Sequence, residues 1–258
     1  MKLGGQSILV TGATGAIGQA ICRALAADGA NVVVHYGRNR EAAEALVKML
    51  DGKGWAISAD LSEPAGPQAL WDQAMAIAGS LTGLVNNAGI RSEIAVDAPM
   101  EEWQQVWARE MRVDFLSAVD LSKLAILHFR THGGGRIVNM ASRAGQRGYT
   151  SSAMAYGASK AALINLTKSI AQSHGHEGVT SVALAPGWVR TEMAEAYIAE
   201  HGEAAALAGI PIARMADPQE IGEITAFVFR PLAGFAQRRR VGRERRQLHE
   251  VIFHALHR

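Results

Sequence analysis

The chain has 258 residues, 48% of them hydrophobic and 19% charged, a composition that excludes a disordered chain and fits a folded one. It contains no apolar run near the ~18 residues of a membrane span. Its first ten residues lack the basic-then-apolar layout of a signal peptide, so the cytoplasm is the expected address. The one cysteine, Cys22, has no partner for an intramolecular disulfide and argues against a thiolate zinc site. The net charge of +2 is uneven: residues 230–258 carry eight Arg against Glu244 and Glu250, leaving the first 229 residues net acidic, without the basic face of a nucleic-acid binder.

In chain order, strands are predicted at residues 7–11, 31–36, 54–58, 83–86, 136–140 and 180–185. Most are unbroken Val/Ile/Leu/Ala runs, the pattern of strands buried on both faces. Helices are predicted near 16–28, 41–51, 65–78, 101–131, 153–174 and 217–229; in the first, Ile17, Ile21 and Leu25 form one apolar stripe. This strand–helix–strand repetition predicts an α/β fold with a doubly wound parallel sheet, in one domain. Ligands of such sheets bind beyond the carboxyl ends of the strands.

The first strand runs into Thr11-Gly12-Ala13-Thr14-Gly15-Ala16-Ile17-Gly18 and then a helix. Glycines permit the tight turn and the close approach of a pyrophosphate, and the helix start offers free N–H groups, so Gly12, Thr14, Gly15, Ile17 and Gly18 are candidate cofactor-binding residues. A plain strand-to-helix connection is the alternative. The second strand ends without the carboxylate that would bind the ribose 2′-hydroxyl of NAD(H); Arg38 and Arg40 stand there instead. Arginine suits a 2′-phosphate, so NADP(H) is favoured, with NAD(H) the alternative and two solvated arginines the plainer reading. After the third strand comes Asp60-Leu61, where the carboxylate is placed to accept from an adenine amino group.

Tyr156 and Lys160, at i and i+4, share one face of a predicted helix, and Ser142 closes the strand that ends fourteen residues before Tyr156. Hydride transfer between a carbonyl carbon and a nicotinamide needs these three groups. A phenol is a poor acid–base group at neutral pH unless a cation stabilises its anion. One ammonium at about 4 Å, at an effective dielectric near 20, supplies about 4 kcal/mol. Ser142 is then expected to hold the substrate oxygen, and Lys160 to bind the nicotinamide ribose as well.

These motifs, with Asn86-Asn87-Ala88-Gly89 and Pro186-Gly187-Trp188-Val189-Arg190-Thr191, give the sequence its resemblance to the short-chain dehydrogenases/reductases of about 250 residues. The resemblance covers about residues 5–229. It implies a single Rossmann-like domain, usually a homotetramer, with a dimer the other expected assembly. It implies Tyr156 as catalytic acid/base, assisted by Ser142 and Lys160. It further implies Asn87 and Ala88 beside the cofactor ribose and adenine, and Pro186, Gly187, Val189 and Thr191 at the nicotinamide end. The body is similar to oxoacyl-carrier-protein reductases and to sugar or polyol dehydrogenases. The implied substrate is a small carbonyl or alcohol.

Three features depart from the family pattern. Ala16 stands where a middle glycine is usual, with Gly15 one place earlier. Asp114 occupies the place of a helix asparagine whose main chain serves a proton relay; a carboxylate there is expected to raise the basicity of Lys160, unless it is only bonded locally. The tail, residues 230–258, is too rich in arginine for a buried strand. Under one choice of codons from Gln237 onward, a one-base shift yields a family-like ending and a stop, so a reading frame slipped near Ala236 is expected. The rivals are an arm for nucleic acid or acidic partners and a solvated helix, and a cofactor-binding protein with little turnover is the rival to an enzyme. Residues 1–229 are thus the expected cofactor-binding and catalytic domain, with a substrate lid at about 188–215 that includes Trp188, Met193, Tyr197, Ile198 and Leu207. Arg143, Gln146 and Tyr149 are candidates for substrate contact. His174, His176, His254 and His257 lack the acidic or thiol partners of a metal site, and no metal is expected.

Overall fold

The computed structural model describes residues 2–208, 210 and 212–230, together with the backbone of 252–254. Seven parallel strands form its sheet: β1 (Ser7–Val10), β2 (Asn31–Tyr36), β3 (Gly54–Ser58), β4 (Gly83–Asn86), β5 (Gly135–Met140), β6 (Val179–Ala185) and β7 (Ile252–His254), in the order β3-β2-β1-β4-β5-β6-β7. The α/β, doubly wound, Rossmann-like reading holds. Strand order reverses between β1 and β4, so the crevice of such a sheet opens beyond their carboxyl ends.

Residue alternation divides the core. Ile8, Val10, Val32, Val34, Val138 and Leu184 point to one face, where they pack with Ile21 and Leu25 of helix α1 (Ala16–Ala27) and Ile221 and Phe229 of a helix near the chain's end. Leu9, Val33, Ile57, Leu84 and Ile137 point to the other face, against Leu70 and Trp71 of α3 (Gly66–Ala78) and against Leu121, Phe129 and Ile170 of later helices. Between α1 and α3 comes α2 (Arg40–Lys48), opened by Asn39, whose side chain accepts from the Ala42 N–H.

The long helix expected over 101–131 is three pieces: α4 (Met100–Met111), a π-helical turn at Arg112–Leu116, and α5 (Ser117–Phe129). Within the turn the Ser117 N–H reaches the Arg112 carbonyl, five residues back. An apolar period cannot reveal such an offset, because the residues on either side remain helical.

Downstream lie the short α6 (Ala144–Arg147), α7 (Met154–His174), α8 (Glu192–His201), α9 (Glu203–Leu207) and α10 (Pro218–Phe229). Helix α10 begins with a capping box, Asp217 and Glu220 each bonded to the other's backbone, and Pro218 occupies the first turn. Gly222 lets it sit against α1: a Cβ there would lie 2.5 Å from the Ala20 carbonyl oxygen. Helices α8 and α9 make a small cluster of their own, with Ala194, Ala206 and Met215 buried beneath Trp188, Tyr197, Ile198 and Leu207.

The arginine run and the proposed frame slip, with residues 231–251, lie outside the described residues, as do the side chains of His254 and His257. Past the arginine run the backbone forms a further short strand, β7, at Ile252–His254, parallel to β6.

Candidate active site

A cleft of about 500 Å³ opens at the carboxyl ends of β1, β4, β5 and β6. Gly12, Thr14, Gly15, Ala16, Ile17 and Gly18 form one wall. Gly12 has φ +59°, and a Cβ on it would stand 2.8 Å from Ala88 Cα; one on Gly18 would stand 2.4 Å from the Gly12 carbonyl oxygen. Both positions demand glycine for space, and Gly12 for conformation as well. Gly15 faces open volume: a Cβ on it would meet the Gly12 carbonyl oxygen at an ordinary 3.7 Å and no other described residue. Helix α1 starts there without a side-chain cap and without an acidic residue in its first turn. Its free N–H groups and positive dipole end therefore point into a backbone-lined cradle, which fits the diphosphate of a dinucleotide.

Two residues that the sequence reading did not single out hold this cradle. The Thr11 hydroxyl accepts from the N–H groups of Asn87 and Ala88, each at 2.9 Å. Buried His35 accepts from the Gly12 N–H through Nδ1 (3.1 Å) and donates through Nε2 to the Ala59 carbonyl (3.1 Å). Burial pushes the His35 pKa down, so the ring braces the turn without a charge. Asn87, expected beside the cofactor, spends both amide hydrogens on the Thr11 and Gly12 carbonyls, at 2.9 and 3.0 Å. It lines the cleft with Ala88, chiefly as a brace.

Arg38, Asp60 and Leu61 are not brought into the lining of the cleft. Arg38 is exposed, and the Leu61 side chain is in the core. The Asp60 carboxylate accepts from the Ser62 N–H (2.8 Å) and hydroxyl (2.6 Å), which, with Arg38 nearby, hold its pKa below the usual range. Arg40 turns back to Glu44 at 2.7 Å and is committed there. The local turn engages Arg40 and one oxygen of Asp60, which residue order alone did not disclose.

The opposite wall carries Ser142, Tyr156 and Lys160, all lining the cleft. Ser142 follows β5, and its Oγ accepts from the Ala144 N–H at 3.1 Å. Tyr156 and Lys160 rise from α7, with Lys160 Nζ 5.5 Å from the centre of the Tyr156 ring. Gly145 seats α6 directly on α7: a Cβ there would lie 2.5 Å from the backbone at Lys160 and Ala161. Below, Asn86 donates to Asn139 (2.8 Å) and Asn139 to Thr167 (2.9 Å), tying β4, β5 and α7 together under the site.

Lys160 is buried. Its Nζ donates to the Met140 carbonyl at 3.3 Å and lies 3.1 Å from Asp114 Oδ2. Burial opposes its charge, but the Asp114 carboxylate, the Tyr156 hydroxyl and Glu110 outweigh that, and the net displacement of its pKa is upward. Asp114 therefore does meet Lys160, through its side chain and as a salt bridge. Its other oxygen accepts from the Ile90 N–H at 2.7 Å. Gly89 leaves room for the pair; a Cβ there would meet Lys160 Nζ at 3.0 Å and Asp114 Oδ2 at 3.1 Å.

Pro186, Gly187, Val189 and Thr191 line the side of the cleft after β6, and Thr191 also caps α8. Trp188, Met193 and Ala194 also line it. Arg143 and Tyr149 line the mouth; Gln146 does not. The Arg91 guanidinium lies 5.5 Å from the centre of the Tyr149 ring. His174 pairs with Glu177 at 2.7 Å, and no group of three or more His, Cys, Asp or Glu side chains among the described residues is placed to hold a metal. No helix among them is long and apolar enough to cross a membrane.

A dinucleotide cradle facing a Ser, a Tyr and a buried Lys across one cleft defines a nicotinamide-dependent oxidoreductase. Residues 6–202 match the family model for short chain dehydrogenases, and the chain belongs to that family. It is 34% identical to the 3-oxoacyl-acyl-carrier-protein reductase FabG of Vibrio cholerae over 236 residues, 91% of this chain and 94% of that protein. It is 35% identical to the cis-4-hydroxycyclohexanecarboxylate dehydrogenase of Sinomonas cyclohexanicum, over 88% of this chain and 90% of that one. A crystal structure of a short chain dehydrogenase from Burkholderia cenocepacia, in complex with NADP, superposes with a TM-score of 0.80 at 31% identity. The match covers 90% of this chain and 93% of that chain.

Proposed function

We propose that this chain transfers a hydride between NADP(H) and a ketone or secondary alcohol. The observation that carries the reading is that Tyr156, Lys160 and Ser142 line the same cleft as the glycine turn. A bound nicotinamide supplies the hydride, or takes it up, at the substrate carbon. Ser142 holds the substrate oxygen, and Tyr156 gives that oxygen a proton during reduction and removes one during oxidation. The Lys160 charge stabilises the phenolate in the interval. Gly12, Thr14, Gly15, Ile17 and Gly18 hold the diphosphate, with Asn87 and Ala88 behind them and Pro186, Gly187, Val189 and Thr191 around the nicotinamide end.

NADP(H) is preferred over NAD(H) in this reading because Arg38, on the exposed shelf past β2, is free of the local ion pair that claims Arg40. The NADP held by the Burkholderia structure supports the same choice. The two relatives supply the substrate classes to try first, 3-oxoacyl thioesters and ring alcohols bearing a carboxylate. Residues 1–229 act as the catalytic domain, with 188–215 as its lid, in a cytoplasmic homotetramer or dimer.

A panel of such carbonyls and alcohols, run in parallel with NADPH/NADP and NADH/NAD, tests the proposal. Turnover is expected, faster with the phosphorylated cofactor. Tight cofactor binding with no turnover on any substrate would instead support a binding protein whose altered tail has cost it activity.

A further inference from the structure

Behind Lys160 lies a second carboxyl group that the reaction outlined above does not use. Glu110 is completely buried, one helical turn before Asp114. Its Oε2 accepts from the Ser92 N–H at 2.8 Å, just as Asp114 Oδ1 accepts from the Ile90 N–H. The two side chains thus pin the loop after β4, whose Gly89 and Ile90 line the cleft. Of their remaining oxygens, Glu110 Oε1 is buried without a hydrogen-bond partner among the described residues, and Asp114 Oδ2 is buried as well. Asp114 Oδ2 has only the Lys160 ammonium beside it.

Two buried carboxylates one turn apart, facing a single ammonium, carry one negative charge more than the positive charge beside them, which is costly in a low-dielectric interior. One proton removes that charge and turns an orphaned acceptor into a donor. We propose that Glu110 and Asp114 hold one proton between them, so that Lys160 faces a pair carrying a single negative charge. Glu110 is then a positioning residue: it touches neither substrate nor cofactor and acts through Asp114 and Lys160.

The charged and titratable groups that face Glu110 are Asp114 on its own helical run and Lys160 on α7, while the loop after β4 presents Ser92. Burial is the largest influence and raises the Glu110 pKa; Asp114 raises it further, against Ser92 and Lys160. Asp114 is raised by burial too, with Lys160 pulling it part of the way back. Both directions favour retention of a proton. Loss of that proton would set a second negative charge against Lys160 and change the acid–base poise of the wall that bears Tyr156.

The role of Glu110 in turnover rests on the function proposed above, but the shared proton can be read without cofactor or substrate. Infrared spectra of the whole protein at neutral pH should show the carbonyl stretch of a protonated carboxylic acid, lost in Glu110→Gln and kept in Tyr156→Phe. No such band in the wild type, or one that survives Glu110→Gln and vanishes in Asp114→Asn, overturns the proposal. Should the glutamine variant fail to fold, Asp114→Asn decides: the midpoint at which the band disappears must move to lower pH, and an unmoved midpoint counts against sharing. In turnover, the wild-type step in kcat across that midpoint should flatten in Glu110→Gln; a wild type without the step has no positioning role for Glu110. Failure of the substrate panel with the band intact would remove the proposed reaction and leave the carboxyl pair standing.

Discussion

The two walls of the cleft are built from different materials. The wall at β1 and α1 is backbone: glycines, free N–H groups and a helix end, braced by Thr11, Asn87 and an uncharged His35. The wall at β5 and α7 is made of side chains, a buried ammonium against buried carboxyls. The backbone wall has no room for a Cβ at Gly12 or Gly18, and burial keeps its titratable brace, His35, uncharged, so it should respond to shape and be nearly indifferent to pH. An ionic wall in a dry interior should behave the other way, because small changes of charge there are large in energy.

The sharpest way to break this contrast is Tyr156→Phe, which should lower kcat by about 10²–10⁴-fold and leave cofactor affinity, read by fluorescence, nearly unchanged. A matching loss of affinity would mean that the walls are not separate. Next in size is Gly12→Ala, which meets both the left-handed φ and the close Ala88 backbone. Strain of about 1–2 kcal/mol from the conformation alone predicts a dissociation constant at least about tenfold weaker at every pH tested.

Stability against pH sharpens the comparison from the other side. The Glu110 pKa is raised on folding, so the stabilisation it brings is complete below the ordinary glutamate range and is lost as pH climbs through the raised folded value. Denaturant melts of Glu110→Gln should therefore lose less stability over that interval than the wild type; parallel curves would refute a buried, proton-holding glutamate. The smallest effect belongs to neither wall. Asp217→Ala removes the cap of α10 and should cost about 1 kcal/mol in a thermal melt, with kcat unaltered.

Much of the molecule was legible from residue order because it rests on local rules. β2, β3 and β4 fall on their predicted residues, since an unbroken apolar run bounded by turns leaves few alternatives. The glycine turn and the shared face of Tyr156 and Lys160 were readable for the same reason: each is set by spacing within one element. What spacing fixes is the side of an element on which a group lies, not the distant group it will meet. Lys160 and Asp114 are 46 positions apart, joined across α7 and a π-helical turn that no periodicity announces. Glu110 lies within a predicted helix, and nothing in its spacing announces that packing buries it. Arg40, readable as a phosphate ligand, is committed to Glu44, and Asp60 spends one oxygen on Ser62. Residue order disclosed six of the seven strands and nominated the cradle and the catalytic candidates, through backbone geometry and hydrophobic pattern. The charge state of the ionic wall was left to the tertiary structure, because desolvation and long-range pairing exist only once the chain has closed around them.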